Sequence, residues 1–155
     1  MRRLILIAAL VLAAPILAFA GPARADERGA EVKAFMEQYL SLWNAHDAAA
    51  INARIYRLDA PNPMASEAGI AAEFSRLKAQ GYDHSTNSGI EACVVGPDQA
   101  LAEMRFSRLK TDGTALPPKD RATLYVLRRF PDGWRIVRLI GMSATAKVSC
   151  KSATD

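Results

Sequence analysis

The chain has 155 residues, half of them apolar, with two cysteines and a formal charge of +4. Arg2, Arg3 and Arg24 fall within the first 25 residues, which hold no acid, so the remaining charge is only about +1. What remains is one domain's worth of chain, with no room for a second core and without the concentrated basic patch of a nucleic-acid binder.

Arg2 and Arg3 open the chain, an uncharged apolar run follows from Leu4 to Ala20, and Ala23-Arg24-Ala25 gives a small-x-small pattern before Asp26. That is the layout of a secretory signal peptide over residues 1–25, leaving a domain of residues 26–155 in the periplasm or outside the cell. The run is short for a membrane span and Pro15 interrupts it, so no membrane association is expected after cleavage. Ala18-Phe19-Ala20 offers a second cleavage site, and neither site has a cysteine nearby for a lipid anchor.

Asp26 to Gly29 reads as a frayed polar lead-in. From Glu31, Val32, Phe35, Met36, Tyr39, Trp43 and His46 recur at three- and four-residue steps, which predicts a helix with one broad aromatic face. Asn44 to Asp47 ends it, with Asp47 placed to cap a second, alanine-rich helix over about 48–56. Pro61 and Pro63 stop that helix, Ser66 caps a third running to about Gln80, and Gly81 closes it.

After Gly81 the period changes to two. Four strands are predicted over about 82–95, 100–110, 120–130 and 134–143, separated by Gly96-Pro97-Asp98, Asp112-Gly113 and Pro131-Asp132-Gly133. The second alternates Ala102, Met104 and Phe106 against Glu103, Arg105 and Ser107. Residues 26–98 hold 11 acids against 6 bases, and residues 99–155 hold 5 against 11. With the arginines spread over several strands, this asymmetry points to pairing within the molecule and not to nucleic acid.

Helices followed by an antiparallel meander make an α+β domain, and long strands backed by one helical layer curl. The expected architecture is a set of N-terminal helices on a curved sheet, enclosing a cone-shaped pocket with the first helix across its mouth. In this order YLSLWNAHDAAAI, GIAAEF and RRFPDGWRIVRLIG resemble the nuclear-transport-factor-2-like superfamily. That superfamily includes ketosteroid isomerases, SnoaL-type cyclases, dehydratases and modules that bind or associate without chemistry.

The resemblance implies roles for two residues. Tyr39, eight residues before Asp47, matches the tyrosine that donates to an oxyanion in the isomerase branch, and Asp59 falls near that branch's general base. The partner acid of the penultimate strand is missing: Val126 stands there, and no acid lies between Arg121 and Phe130. As alternatives, Tyr39 is a core residue and Asp59 simple turn chemistry before Pro61. The pocket lining is expected from Phe35, Tyr39, Trp43, Phe74, Arg105, Tyr125 and Arg138, where an inward arginine would favour an anionic ligand; the alternative is that Arg105, Tyr125 and Arg138 lie on the solvated face of the sheet.

His46 and His84 have no third ligand at a recognisable spacing, so neither metal nor cofactor is expected. Cys93 and Cys150 are expected to form a disulfide in an oxidising compartment, the alternative being a buried free Cys93 with a loose tail. The functional expectation is an exported domain that binds a small apolar or anionic ligand or serves as an accessory module. The alternative is a cyclase-, isomerase- or dehydratase-type enzyme using Tyr39 and Asp59. A third possibility, which the resemblance implies, is an interaction domain that forms a homodimer through the outer face of its sheet.

Overall fold

A computed structural model describes residues 22–146. Three helices, α1 (Pro22–Asn44), α2 (Ala48–Arg54) and α3 (Glu67–Lys78), precede four strands. These are β1 (Tyr82–Val94), β2 (Gln99–Lys110), β3 (Arg121–Phe130) and β4 (Gly133–Met142). The strands form one antiparallel sheet in the order β1-β2-β3-β4, so the expected meander and α+β layout are observed.

The helix ends follow local chemistry. The Asp47 side chain accepts from the Ala50 amide at 2.8 Å at the start of α2, and Ser66 accepts from the Gly69 amide at 3.2 Å at the start of α3. Gly81 takes a φ of +83° after α3, where a side chain would be strained. Helix α1 starts earlier than the expected polar lead-in at Asp26–Gly29 allows, because Pro22 suits a first helical turn and Gly29 is the one poor helix former between Ala23 and Ala30, a cost of only about 1 kcal/mol. His46 is not on the helix face: α1 has ended at Asn44, and His46 turns the chain with a φ of +54°.

Val32, Met36, Tyr39 and Trp43 of α1 are buried against the concave face of the sheet, joined by Ile51, Ile55, Ile70 and Leu77 from the shorter helices. Ala102, Met104, Phe106, Tyr125 and Leu127 meet them from the sheet. Register defines the two faces. Met104 pairs with Thr123, Phe106 with Arg121, Ala102 with Tyr125 and Tyr125 with Leu139, and these residues share the concave side. Glu103 and Arg105 belong to the convex side, where they pair with each other.

Both edges of the sheet receive extra partners. The Asn44 carboxamide accepts from the Ser85 amide and donates to the Ser85 carbonyl, each at 2.9 Å, on the free edge of β1. On the other side, Tyr56 forms a parallel bridge with Ile136. The Ile136 amide donates to the Ile55 carbonyl, and the Arg57 and Asp59 amides to the Ile136 and Val137 carbonyls.

Candidate functional site

Between α1 and the concave sheet lies a cavity of about 190 Å³. Its walls come from every layer: Tyr39, Leu40 and Trp43 of α1, Tyr56 beyond α2, Met64 of the following loop and Glu73 of α3. The sheet adds Ser85, Met104, Phe106, Arg108, Thr123, Tyr125, Leu139 and Gly141. The volume exceeds the roughly 150 Å³ of an apolar cavity that holds one benzene ring. It falls below the roughly 300–1,000 Å³ of drug-sized sites, so a fused four-ring body is too large for it.

In the wall of this cavity three tyrosines meet. The Tyr39 and Tyr56 hydroxyls hydrogen-bond each other at 2.8 Å, and the Tyr39 ring lies 5.7 Å from that of Tyr56 and 5.5 Å from that of Tyr125. All three rings are buried. Burial pushes all three hydroxyls well above the usual tyrosine range, and the neighbouring tyrosines add to it. The hydroxyls therefore stay neutral and can donate to an acceptor placed among them.

The cationic group is Arg108. Its guanidinium carbon sits 5.9 Å from the ring centres of both Tyr82 and Phe106, and its Nε–H is buried with no acceptor among the described residues. Glu73, the one carboxylate of the lining, is held by Arg76, whose Nε donates to it at 2.7 Å. This side of the cavity thus offers one paired acid and one guanidinium with an unused donor.

Of the residues expected in the pocket, Tyr39, Trp43 and Tyr125 line it. Phe74 lies behind the wall, its ring 4.7 Å from Trp43, and Phe35 packs on the core away from the lining. Arg105 is on the convex side, bonded to Glu103 and to the Ala144 and Ala146 carbonyls. Arg138 is exposed and paired with Asp59 at 3.1 Å. Asp59, itself 59 % exposed, does not reach the cavity, so the structure does not bring Tyr39 and Asp59 together. Turn geometry explains this: the Asp59 amide is bound to the β4 edge, and its side chain follows the outside of that edge.

Tyr56, Met64, Glu73, Ser85 and Arg108 enter the site without having been expected there. The alternation of β2 carried a signal for Arg108, since the parity of Met104 and Phe106 continues to it and leaves Arg105 on the other face. Cys93 is buried in β1, while Cys150 and residues 1–21 lie outside the described residues. Among the described residues no three His, Cys, Asp or Glu side chains form a metal cluster, and no helix is long and apolar enough to cross a membrane.

Helices closing an apolar cone on a curved four-stranded meander define a cone-fold α+β domain. The family model "NTF2-like protein (DUF6841)" matches residues 27–144, and the chain belongs to that family. No curated protein matches the chain in sequence. Solved structures share the fold. An NTF2-like protein with a cystatin-like fold from Novosphingobium aromaticivorans aligns with a TM-score of 0.56 at 19 % identity, over 89 % of this chain and 99 % of its own. An NTF2-like superfamily protein from Salmonella enterica aligns at 0.54 and 18 %, over 78 % and 95 %. A ketosteroid isomerase-like protein from Erwinia carotovora atroseptica aligns at 0.51 and 18 %, over 76 % and 98 %.

Proposed function

We propose that this protein is an exported binding domain for a small, mainly apolar molecule that carries one anionic group. The body, about one ring in size, packs among Tyr39, Trp43, Met104 and Leu139, and the anionic group meets Arg108. The observation that carries this reading is the Arg108 Nε–H, buried at the cavity with no acceptor among the described residues. A buried donor left unmade costs about 1–3 kcal/mol, and a bound carboxylate recovers that cost through a charge-assisted bond. Catalysis by Tyr39 and Asp59 is the weaker reading, because Asp59 pairs with Arg138 away from the cavity and Val126 leaves the oxyanion site without its acid.

The test is thermal unfolding of the purified protein with benzoate, benzyl alcohol and acetate. Benzoate should raise the transition most, because it alone supplies both ring and charge, and Arg108→Met should remove that advantage. A ligand that binds the folded state adds about 2.7 kcal/mol at 100 times its Kd. Equal shifts with benzyl alcohol, or a benzoate shift unchanged in Arg108→Met, would refute the reading. Export is tested by sequencing the N-terminus of the protein recovered from outside the cytoplasm. A start at Asp26 or Gly21 supports cleavage, and an intact Met1 rules it out.

A further inference from the structure

Arg108 has a companion. Phe106 and Arg121 are directly opposite on β2 and β3, and Arg108 is two residues beyond Phe106, so both arginines lie on the concave face as diagonal neighbours. Such neighbours stand roughly 7–8 Å apart at Cα, within reach of two long side chains. Arg121 lines a second cavity of about 230 Å³, and Phe106 is common to both cavities.

The two guanidiniums share one anomaly. The Nε–H of Arg121, like that of Arg108, is buried without an acceptor among the described residues, and neither side chain forms an ion pair there. Arg121 does donate from its terminal nitrogen to the Pro117 carbonyl at 2.7 Å. Burial, followed by the charges of Arg108 and Arg76, holds the Arg121 guanidinium below its ordinary value, so Arg121 feels both other cations. Glu73 is paired with Arg76; of the other charged residues of the second cavity, Arg105 is paired with Glu103, and Asp120 is exposed and makes no ion pair with Arg121. Two partly buried like charges, neither in an ion pair among the described residues, are unfavourable unless something negative joins them.

We propose that Arg108 and Arg121 together hold one dianionic head group, that of a phosphate monoester whose apolar body occupies the cavity. This rests on the cavity reading above and adds the charge and shape of the head. A monocarboxylate brings one charge and two oxygens, which a single guanidinium fork already satisfies. A phosphate monoester brings close to two charges and three acceptor oxygens, which matches two forks with free Nε donors.

The test compares phenyl phosphate with phenyl sulfate by titration calorimetry on the whole protein at about pH 8, where the phosphate is a dianion and the sulfate a monoanion of the same shape. Phenyl phosphate should bind about tenfold tighter. Arg121→Gln should erase that gap while leaving phenyl sulfate within about twofold, which also reports that the variant is folded. Equal affinities for the two, or an equal loss of both in Arg121→Gln, overturns the proposal. So does inorganic phosphate binding as tightly as phenyl phosphate, since the cavity would then add nothing. If benzoate binds but phenyl phosphate shows no advantage, the head-group proposal falls and the cavity reading stands. If benzoate also fails to bind, the cavity reading falls and takes the proposal with it.

Discussion

Asn44 is the residue on which the joint between the helices and the sheet depends most sharply. It ends α1, and its carboxamide satisfies both backbone groups of Ser85, a residue only 4 % exposed on the free edge of β1. Asn44→Ala removes the two hydrogen bonds to Ser85, worth about 1 kcal/mol each, and strands a buried amide and a buried carbonyl, for a total of about 2–4 kcal/mol. In a domain of this size that lowers Tm by roughly 10 °C. Asn44→Asp gives a signed control. Its carboxylate still accepts from the Ser85 amide but faces the Ser85 carbonyl, whereas its protonated form donates to that carbonyl. The folded pKa is therefore raised, so the stabilisation is present below the unfolded value of about 4 and lost as pH rises through the folded one. Urea unfolding followed by tryptophan fluorescence reads both variants. Asn44→Ala within about 0.5 kcal/mol of the natural protein would refute the reasoning. A pH-independent Asn44→Asp would also refute it.

Three further outcomes are expected. Tyr39, Tyr56 and Tyr125 are held neutral by burial, so their contribution is complete below the unfolded value of about 10 and is lost as pH rises toward the folded values. Stability should fall by about 4 kcal/mol per pH unit above pH 10, and a flat urea midpoint there would contradict the buried cluster. Gly69→Ala would place a Cβ 1.7 Å from the Pro63 carbonyl oxygen, pushing away the loop that carries Met64. It should cost about 1–3 kcal/mol and weaken benzoate binding, as thermal unfolding with and without ligand would show. Cys93 lies on the convex side of β1, where Arg105 also holds the Ala144 and Ala146 carbonyls, and we propose that Cys150 joins it in a disulfide. Non-reduced protein should resist alkylation and lose roughly 4 kcal/mol on reduction, and two alkylated thiols would exclude the bond.

The parts of the fold that local chemistry decides were legible in the sequence. Asp47 and Ser66 cap helices where such residues should, Gly81 closes α3, and the turn dipeptides separate strands within a residue or two of those observed. The start of α1 was not, because polar residues after Pro22 read as well for a loop as for an exposed helical turn. The site was half legible. Aromatic spacing on α1 gives Tyr39 and Trp43, and the parity of β2 places Arg108 inside and Arg105 outside once the apolar side is taken as concave. Tyr56 and Asp59 could not be placed in this way. Which side of the chain faces the cavity after α2 is set by hydrogen bonds to Ile136 and Val137, far along the sequence, and no local pattern encodes them.

The same edge contacts bear on how copies of this chain can meet. A bare edge strand is a template on which another chain can add a strand and continue a sheet. Here the segment Ile55–Asp59 occupies the β4 edge at Ile136 and Val137, and Asn44 fills the place of a neighbouring strand at Ser85 of β1. Two register shifts bend β1 on either side of Ser85, at Tyr82–His84 and Asn87–Gly89. Growth of the sheet from one molecule into the next is thus obstructed at both ends, so any contact between copies would have to be made by side chains and not by a shared ladder.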